Sequence, residues 1–205
     1  MYSRVYIPPG PGPHPVLMLL HGWTGDENSM WVFSSHLPQD HIMVAPRGLY
    51  SSPLGGYSWQ PNSQRKWPEI DDFRPAIEAL LIVQDQNQIA TGDFSKISLV
   101  GFSQGAALVY TFALLLPERV HAFAGLSGFL PGDFESYSHK KPLLGKRAFV
   151  AHGSQDTLVP VERARQAVAL LEQVGARVTY CEDNVQHKLS TTCYRGLEEF
   201  FPKHV

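Results

Sequence analysis

The sequence predicts an α/β protein with a mostly parallel central sheet and helices on both of its faces. Three observations lead there. Short apolar runs of strand length alternate with longer stretches of helical periodicity from residue 16 to residue 201. The runs are apolar throughout rather than at every second residue, the pattern of strands buried on both faces. Gly and Pro clusters fall between them, where turns are needed.

The elements follow in order. Residues 8–15 (PPGPGPHP) form a turn-rich lead-in, and VLMLL at 16–20 reads as the first buried strand. Residues 27–37 read as a helix, because Met30, Phe33 and Leu37 stand three or four apart. IMVA at 42–45 is the second strand. Residues 46–70 are irregular and rich in Gly, Pro, Ser and aromatics. A connection of that length in a compact domain is often functional. Helical periodicity resumes over 71–90, and ISLV at 97–100 is a third strand, followed by an apolar helix near 104–116. VHAFAGL at 120–126, AFVA at 148–151 and VTYC at 178–181 supply strands four to six. Between the last two, VERARQAVALLEQV at 161–174 is an amphipathic helix ended by Gly175. A final helix spans 190–201 and is closed by Pro202. With no repeat, linker or low-complexity tract, the 205 residues read as a single domain, 1–205.

Composition narrows the function. The chain is 43% hydrophobic and 18% charged, with a net charge of -2. It has no cluster of Lys and Arg, which excludes an electrostatic nucleic-acid binder or an anionic-membrane binder. No run approaches the roughly 18 apolar residues of a membrane span, so no stable membrane insertion is expected. The start, MYSRVYIPP, lacks the apolar core of a secretory signal, and the expectation is a cytoplasmic protein. Cys181 and Cys193 are too few for a disulfide framework and read as ordinary thiols, with a bridge between them as the alternative.

In open parallel sheets, sites form at the carboxyl ends of the strands. The third strand runs into Gly101-Phe-Ser103-Gln-Gly105 and then into a helix. Gly-x-Ser-x-Gly between strand and helix is the pattern of a nucleophile elbow. The chain must reverse sharply with the serine at the apex, and glycine on either side removes side chains that would collide with neighbouring backbone. A serine hydroxyl needs a general base, and the base needs an orienting acid.

Asp156 lies just past the fifth strand in HGSQDTLVP (152–160), and His187 lies past the sixth strand in the last loop. This gives the chain order Ser, Asp, His. Asp183, which follows the sixth strand, is the rival acid. The first strand ends in His21-Gly22-Trp23-Thr24-Gly25, a turn suited to donating one oxyanion-hole N–H. Trp23 and Gln104 are the expected main-chain donors. His21 reads as a residue that shapes this turn rather than as a base. The other histidines share no metal-ligand spacing, and neither metal nor cofactor is expected. Tyr57, Trp59 and Trp67 in the long loop, with Leu158, either line a substrate pocket or fix the loop in the core. Arg47 reads as one half of a structural ion pair, with a substrate carboxylate as the alternative partner.

Together these segments resemble the phospholipase/carboxylesterase family of α/β-hydrolases, which includes small bacterial carboxylesterases and acyl-protein thioesterases. The matching pieces are LLHGWTGDE (19–27), APRG (45–48), GFSQGA (101–106), LSGFLP (126–131), HGSQDTLVP (152–160) and QHKLS (186–190). They stand in family order along nearly the whole chain. The resemblance implies an α/β-hydrolase fold without a separate lid domain and a Ser103–His187–Asp156 triad. It also implies ester hydrolysis through an acyl-enzyme, no metal, and homodimers as a frequent assembly. Gln186 stands where many relatives have Gly, and Trp23 stands where many have a smaller residue. Both departures bear on pocket size rather than on the triad. The expected substrate is a small soluble ester. The alternatives are lysophospholipase or acyl-protein thioesterase activity on long chains, other chemistry on the same triad such as perhydrolysis or lactone opening, and a hydrolase-fold binding protein with little turnover.

Overall fold

The computed structural model describes residues 1–61, 67–85 and 89–201. Seven strands form one sheet: β1 (Ser3–Tyr6), β2 (His14–Leu20), β3 (Ile42–Pro46) and, after a two-stranded ribbon of β4 (Tyr50–Ser51) and β5 (Tyr57–Ser58), β6 (Gly92–Phe102), β7 (Val120–Leu126), β8 (Arg147–Gly153) and β9 (Arg177–Asp183). The spatial order is β1-β3-β2-β6-β7-β8-β9. β1 runs antiparallel to β3, and the other neighbours are parallel.

The continuous apolar runs explain themselves in the packing. Along β2 and β3, Val16, Met18, Leu20 and Val44 point into one core layer, and Leu17, Leu19, Met43 and Ala45 into the other. Helices α1 (Arg74–Asp85), α2 (Gln104–Leu115) and α3 (Val161–Gln173) cover the first layer. Helix α4 (Thr191–Phe200) and a short helical turn cover the second. Every residue from Gln104 to Leu114 of α2 is buried, which is why that helix is apolar all round. α1 and α3 bury only one stripe each: Ala76, Ile77 and Leu80 in α1, and Ala164, Ala167 and Leu171 in α3.

Several elements differ from the sequence expectation. The segment at 27–37 is not an α-helix but a 3₁₀ helix over Ser29–His36. Asp26 accepts the N–H groups of Asn28 and Ser29 and so tightens the entry. The buried pair Met30 and Phe33 fits three residues per turn. The helix expected over 71–90 begins as a 3₁₀ turn at Ile70–Phe73 and continues as α1 to Asp85, while residues 86–88 lie outside the described part. β6 is longer than ISLV because its first residues pair with the start of β2 across a register shift. β1 is not visible in the pattern. Arg4 and Val5 are exposed on an edge strand with one neighbour, so no apolar run marks it. Pro202, expected to close the last helix, lies outside the described residues.

The two cysteines are a correction. Cys181 in β9 and Cys193 in the first turn of α4 are joined in a disulfide, not left as thiols. β9 leaves the sheet edge through a short loop, and α4 folds back onto the same sheet, bringing the two Cα atoms within 5.6 Å. Sequence spacing alone does not reveal that return. Among the described residues, no helix is long and apolar enough to cross a membrane. The bridge closes a ring over a separation of 12 residues. Opening it is expected to lower stability by about 3 kcal/mol by loop-closure entropy. Urea unfolding of the wild type with and without dithiothreitol, beside Cys193→Ala, measures this. Coincident midpoints in all three samples would contradict a bridge.

Candidate active site

The parallel strands deliver their carboxyl ends to one edge of the sheet, and the candidate residues gather there. Ser103 is the single residue between the end of β6 and the start of α2. Its φ of 53° and ψ of -114° lie outside the comfortable regions for a residue with a side chain, a strain of about 1–3 kcal/mol that the surroundings must hold. They do so by hydrogen bonding and by close approach. Ser103 N–H donates to the Leu126 carbonyl at 2.8 Å, and its own carbonyl accepts from Ala106 at 3.0 Å. A Cβ on Gly101 would lie 2.2 Å from the Gly105 carbonyl oxygen, and one on Gly105 would lie 2.1 Å from that of Leu20. Both glycines are needed for α2 to start where it does.

The acid and base loops meet beside the elbow. Asp156 is buried, and one carboxylate oxygen accepts the N–H groups of Leu158 and Val159, each at 2.9 Å. The other oxygen accepts from His187 Nδ1 at 2.6 Å. A carboxylate only accepts, so Nδ1 carries the proton and Nε2 is left as a free acceptor. The Phe102 ring packs on the His187 ring at 4.9 Å between centroids. Asp183 faces elsewhere. Its carboxylate accepts from Asn184 N–H at 2.7 Å, and a hydrogen bond from Ser190, ahead of that one, holds its pKa below the usual range. The two loops are zipped by backbone: Ser154 N–H to the Asp183 carbonyl at 2.8 Å and Gln155 N–H to that of Val185 at 3.0 Å. Gly153 permits the approach, since a Cβ there would lie 2.2 Å from the carbonyl oxygens of Val185 and Gln186.

The turn after β2 is held from the side opposite the elbow. His21 is fully buried; Nδ1 donates to the Gly22 carbonyl at 2.7 Å and Nε2 accepts from Gly48 N–H at 2.9 Å. Burial pushes its pKa below the usual 6.5. With both nitrogens engaged, it has no lone pair for catalysis. Thr24 donates to the Tyr57 carbonyl at 3.0 Å and Tyr57 donates to that of Gly25 at 2.9 Å, so the β4–β5 ribbon clamps this turn. Among the described residues, the N–H groups of Trp23 and Gln104 have no backbone acceptor. Both residues border the cleft that holds Ser103 and His187.

That cleft has a volume of about 660 Å³. Trp67 and Phe129 meet edge to face on its wall, 4.7 Å between centroids. Leu54, Pro68, Leu158 and Val159 continue the apolar surface, and Ser58, Gln60 and Gln104 add polar groups. No Asp, Glu, Lys or Arg lines it among the described residues.

Two of the four residues expected in a pocket are not in its wall. Trp59 is fully buried; its indole N–H donates to the His21 carbonyl at 2.7 Å and its ring packs on His21 at 4.7 Å. Tyr57 supports Arg47, whose guanidinium lies over its ring and donates to its hydroxyl at 3.1 Å. Arg47 makes a two-pronged pair with Glu27 at 2.6 Å, which makes it structural. Trp67 and Leu158 do border the cleft. Sequence reasoning missed the Gln104 side chain. Its carbonyl oxygen accepts Trp59 N–H at 3.1 Å, tying the long loop to the elbow helix. It also missed Phe129, whose place in LSGFLP directly after β7 was the available signal.

A model of the family described as Phospholipase/Carboxylesterase matches residues 3–205. The chain is 27% identical over 159 residues to acyl-protein thioesterase 1 of Eremothecium gossypii, covering 70% of this chain and 66% of that protein. It is 25% identical over 138 residues to carboxylesterase SOBER1 of Arabidopsis thaliana, covering 63% and 58%. Each match leaves a third or more of the relative's own length uncovered. The carboxylesterase of Bacillus cereus superposes with a TM-score of 0.81 over 97% of this chain and 92% of that one, at 19% identity. At that identity, the likeness is one of fold.

The buried histidines predict how stability responds to acid. Burial is the main cause that lowers the pKa of both His21 and His152 from 6.5. Both rings are neutral in the folded chain, whereas the unfolded chain takes up a proton on each below about 6.5. Their contribution is therefore intact above that pH and is lost as pH falls below it. The melting temperature is expected to drop between pH 7 and pH 5. A flat or rising profile over that interval would contradict the burial of two neutral rings.

Proposed function

Since the chain belongs to the phospholipase/carboxylesterase family, we propose that it is a serine hydrolase that cleaves carboxylic esters with Ser103 as nucleophile, His187 as general base and Asp156 as its orienting acid. One observation carries the reading: His187, held by the buried Asp156 at 2.6 Å, borders the same cleft as the strained Ser103. His187 Nε2 takes the proton as Ser103 Oγ attacks the ester carbonyl. The carbonyl oxygen becomes an oxyanion that the main-chain N–H groups of Trp23 and Gln104 receive. His187 returns the proton to the leaving alcohol, and water then repeats the sequence on the acyl-enzyme.

The substrate is a small soluble ester with an uncharged reacting part, in keeping with the apolar walls and the absence of charged lining residues among those described. The open mouth favours a second reading, hydrolysis of long-chain acyl thioesters of the kind named by the acyl-protein thioesterase relative. Trp23, Leu54 and Leu158 are 50%, 74% and 68% exposed there and could carry a chain outward.

A chain-length series of p-nitrophenyl esters separates the two, with an optimum at two to four carbons expected for the first. Ser103→Ala is expected to abolish turnover. Asp156→Asn, which leaves His187 in the wrong tautomer, is expected to lower kcat by about 10⁴-fold. The rate should rise from acid pH and then level off, since a general base acts only in its unprotonated form. Full activity in either variant, or a rate independent of pH, would remove the corresponding role.

A further inference from the structure

His152 is a buried titratable side chain in the acid loop that the mechanism above does not use. It stands in β8 just before Gly153, and its side chain is wholly buried. Nε2 lies 2.8 Å from the Val159 carbonyl oxygen and 3.4 Å from the Asp156 oxygen that holds His187. Both neighbours are acceptors, so Nε2 bears the proton and donates. Nδ1 is then a bare lone pair, buried and without a partner among the described residues. A purely structural position would avoid that cost, because an apolar ring of similar size fills the space without it.

We propose that His152 is a positioning residue: as a neutral hydrogen-bond donor, it closes the loop at residues 152–159 so that the Asp156 carboxylate points at His187. The inference rests on the triad reading above. The closure is visible in the bonds. Val159 is held at both ends of its peptide groups, its N–H by one Asp156 oxygen at 2.9 Å and its carbonyl by His152 at 2.8 Å. The strand end, the acid and the start of the following helix therefore move as one unit.

Neutrality is part of the role. Among the described residues, the charged or titratable groups that act most strongly on the ring are Asp156, His187 and Glu182. Burial outweighs the pull of the two carboxylates, and the pKa is lowered. A cation at His152 would draw the Asp156 oxygen away from His187 and weaken the field that stabilises the imidazolium formed during turnover. A neutral donor fixes the loop and leaves the negative charge for His187.

The test compares wild type with His152→Gln, His152→Asn and His152→Phe, each checked for folding by circular dichroism and melting temperature. Glutamine places an amide N–H near the position of Nε2. Asparagine reaches only the Nδ1 position, and phenylalanine fills the space without a donor. Two readouts are taken: kcat and KM on p-nitrophenyl acetate, and the downfield proton signal of the His187 Nδ1–H bond in ¹⁵N-histidine-labelled protein, which needs no turnover. Phenylalanine and asparagine should lower kcat up to about 10²-fold, leave KM in place, and broaden or erase the signal. Glutamine should restore both. If phenylalanine does not fold, the asparagine–glutamine contrast carries the same decision. Wild-type kcat and signal in a donor-free variant, or a folded glutamine variant no better than asparagine, would overturn the proposal. If the variants show the expected signal changes while wild type turns over no ester, the positioning role stands and the ester reading fails.

Discussion

The close approach of α2 to the sheet is the constraint on which the site depends. Three glycines permit it. Besides Gly101 and Gly105, Gly128 after β7 faces Ala106, where a Cβ would lie 2.2 Å from the alanine methyl. Each has backbone or a methyl where any other residue has a side chain, and packed interiors do not absorb overlaps of that size. The approach puts the start of α2 directly against the end of β2, so the elbow and the His21–Gly25 turn become neighbours. The candidate nucleophile Ser103 and the candidate donor Trp23, about eighty residues apart in sequence, become neighbours through this approach of backbones. The strain at Ser103 is held by this packing and by its bond to Leu126.

A second close approach, at Gly153, does for the candidate acid and base what the first does for the candidate nucleophile and oxyanion donors. It lets the loops after β8 and β9 share backbone hydrogen bonds, and the Asp156–His187 bond forms within that frame. The disulfide from Cys181 to Cys193 spans the His187 loop at its two feet, outside the zipped part. His187 is thus held on one side by hydrogen bonds and on the other by a covalent link. Such a link persists in oxidising surroundings and opens in reducing ones, so the rigidity of this loop depends on where the protein works.

Much of this was legible in the sequence because the physics there is local. The strands of a doubly covered sheet must be apolar throughout, and VLMLL, ISLV and AFVA are. An elbow must carry glycine at two fixed positions, and GFSQG does. The remainder is set by contacts distant in sequence. Trp59 and Tyr57 have the composition of pocket walls, but a hydrogen bond to the His21 carbonyl buries the first and the pair with Arg47 claims the second. The Cys181–Cys193 bridge needed the return path of α4. The 3₁₀ turn at Ser29–His36 needed the side chain of Asp26, and β1 is an edge strand whose exposed residues leave no apolar signature. The Gln104 side chain was hidden behind its more obvious backbone role.

The central claim is that Ser103 forms a covalent acyl intermediate. Rapid acid quench of the enzyme during p-nitrophenyl ester turnover, followed by intact-mass measurement and peptide mapping, tests it most directly. The account predicts one added acyl group per chain, located on the peptide containing Ser103 and absent from Ser103→Ala. An adduct on another residue, or steady turnover with no adduct under conditions that trap acyl-enzymes, would contradict it.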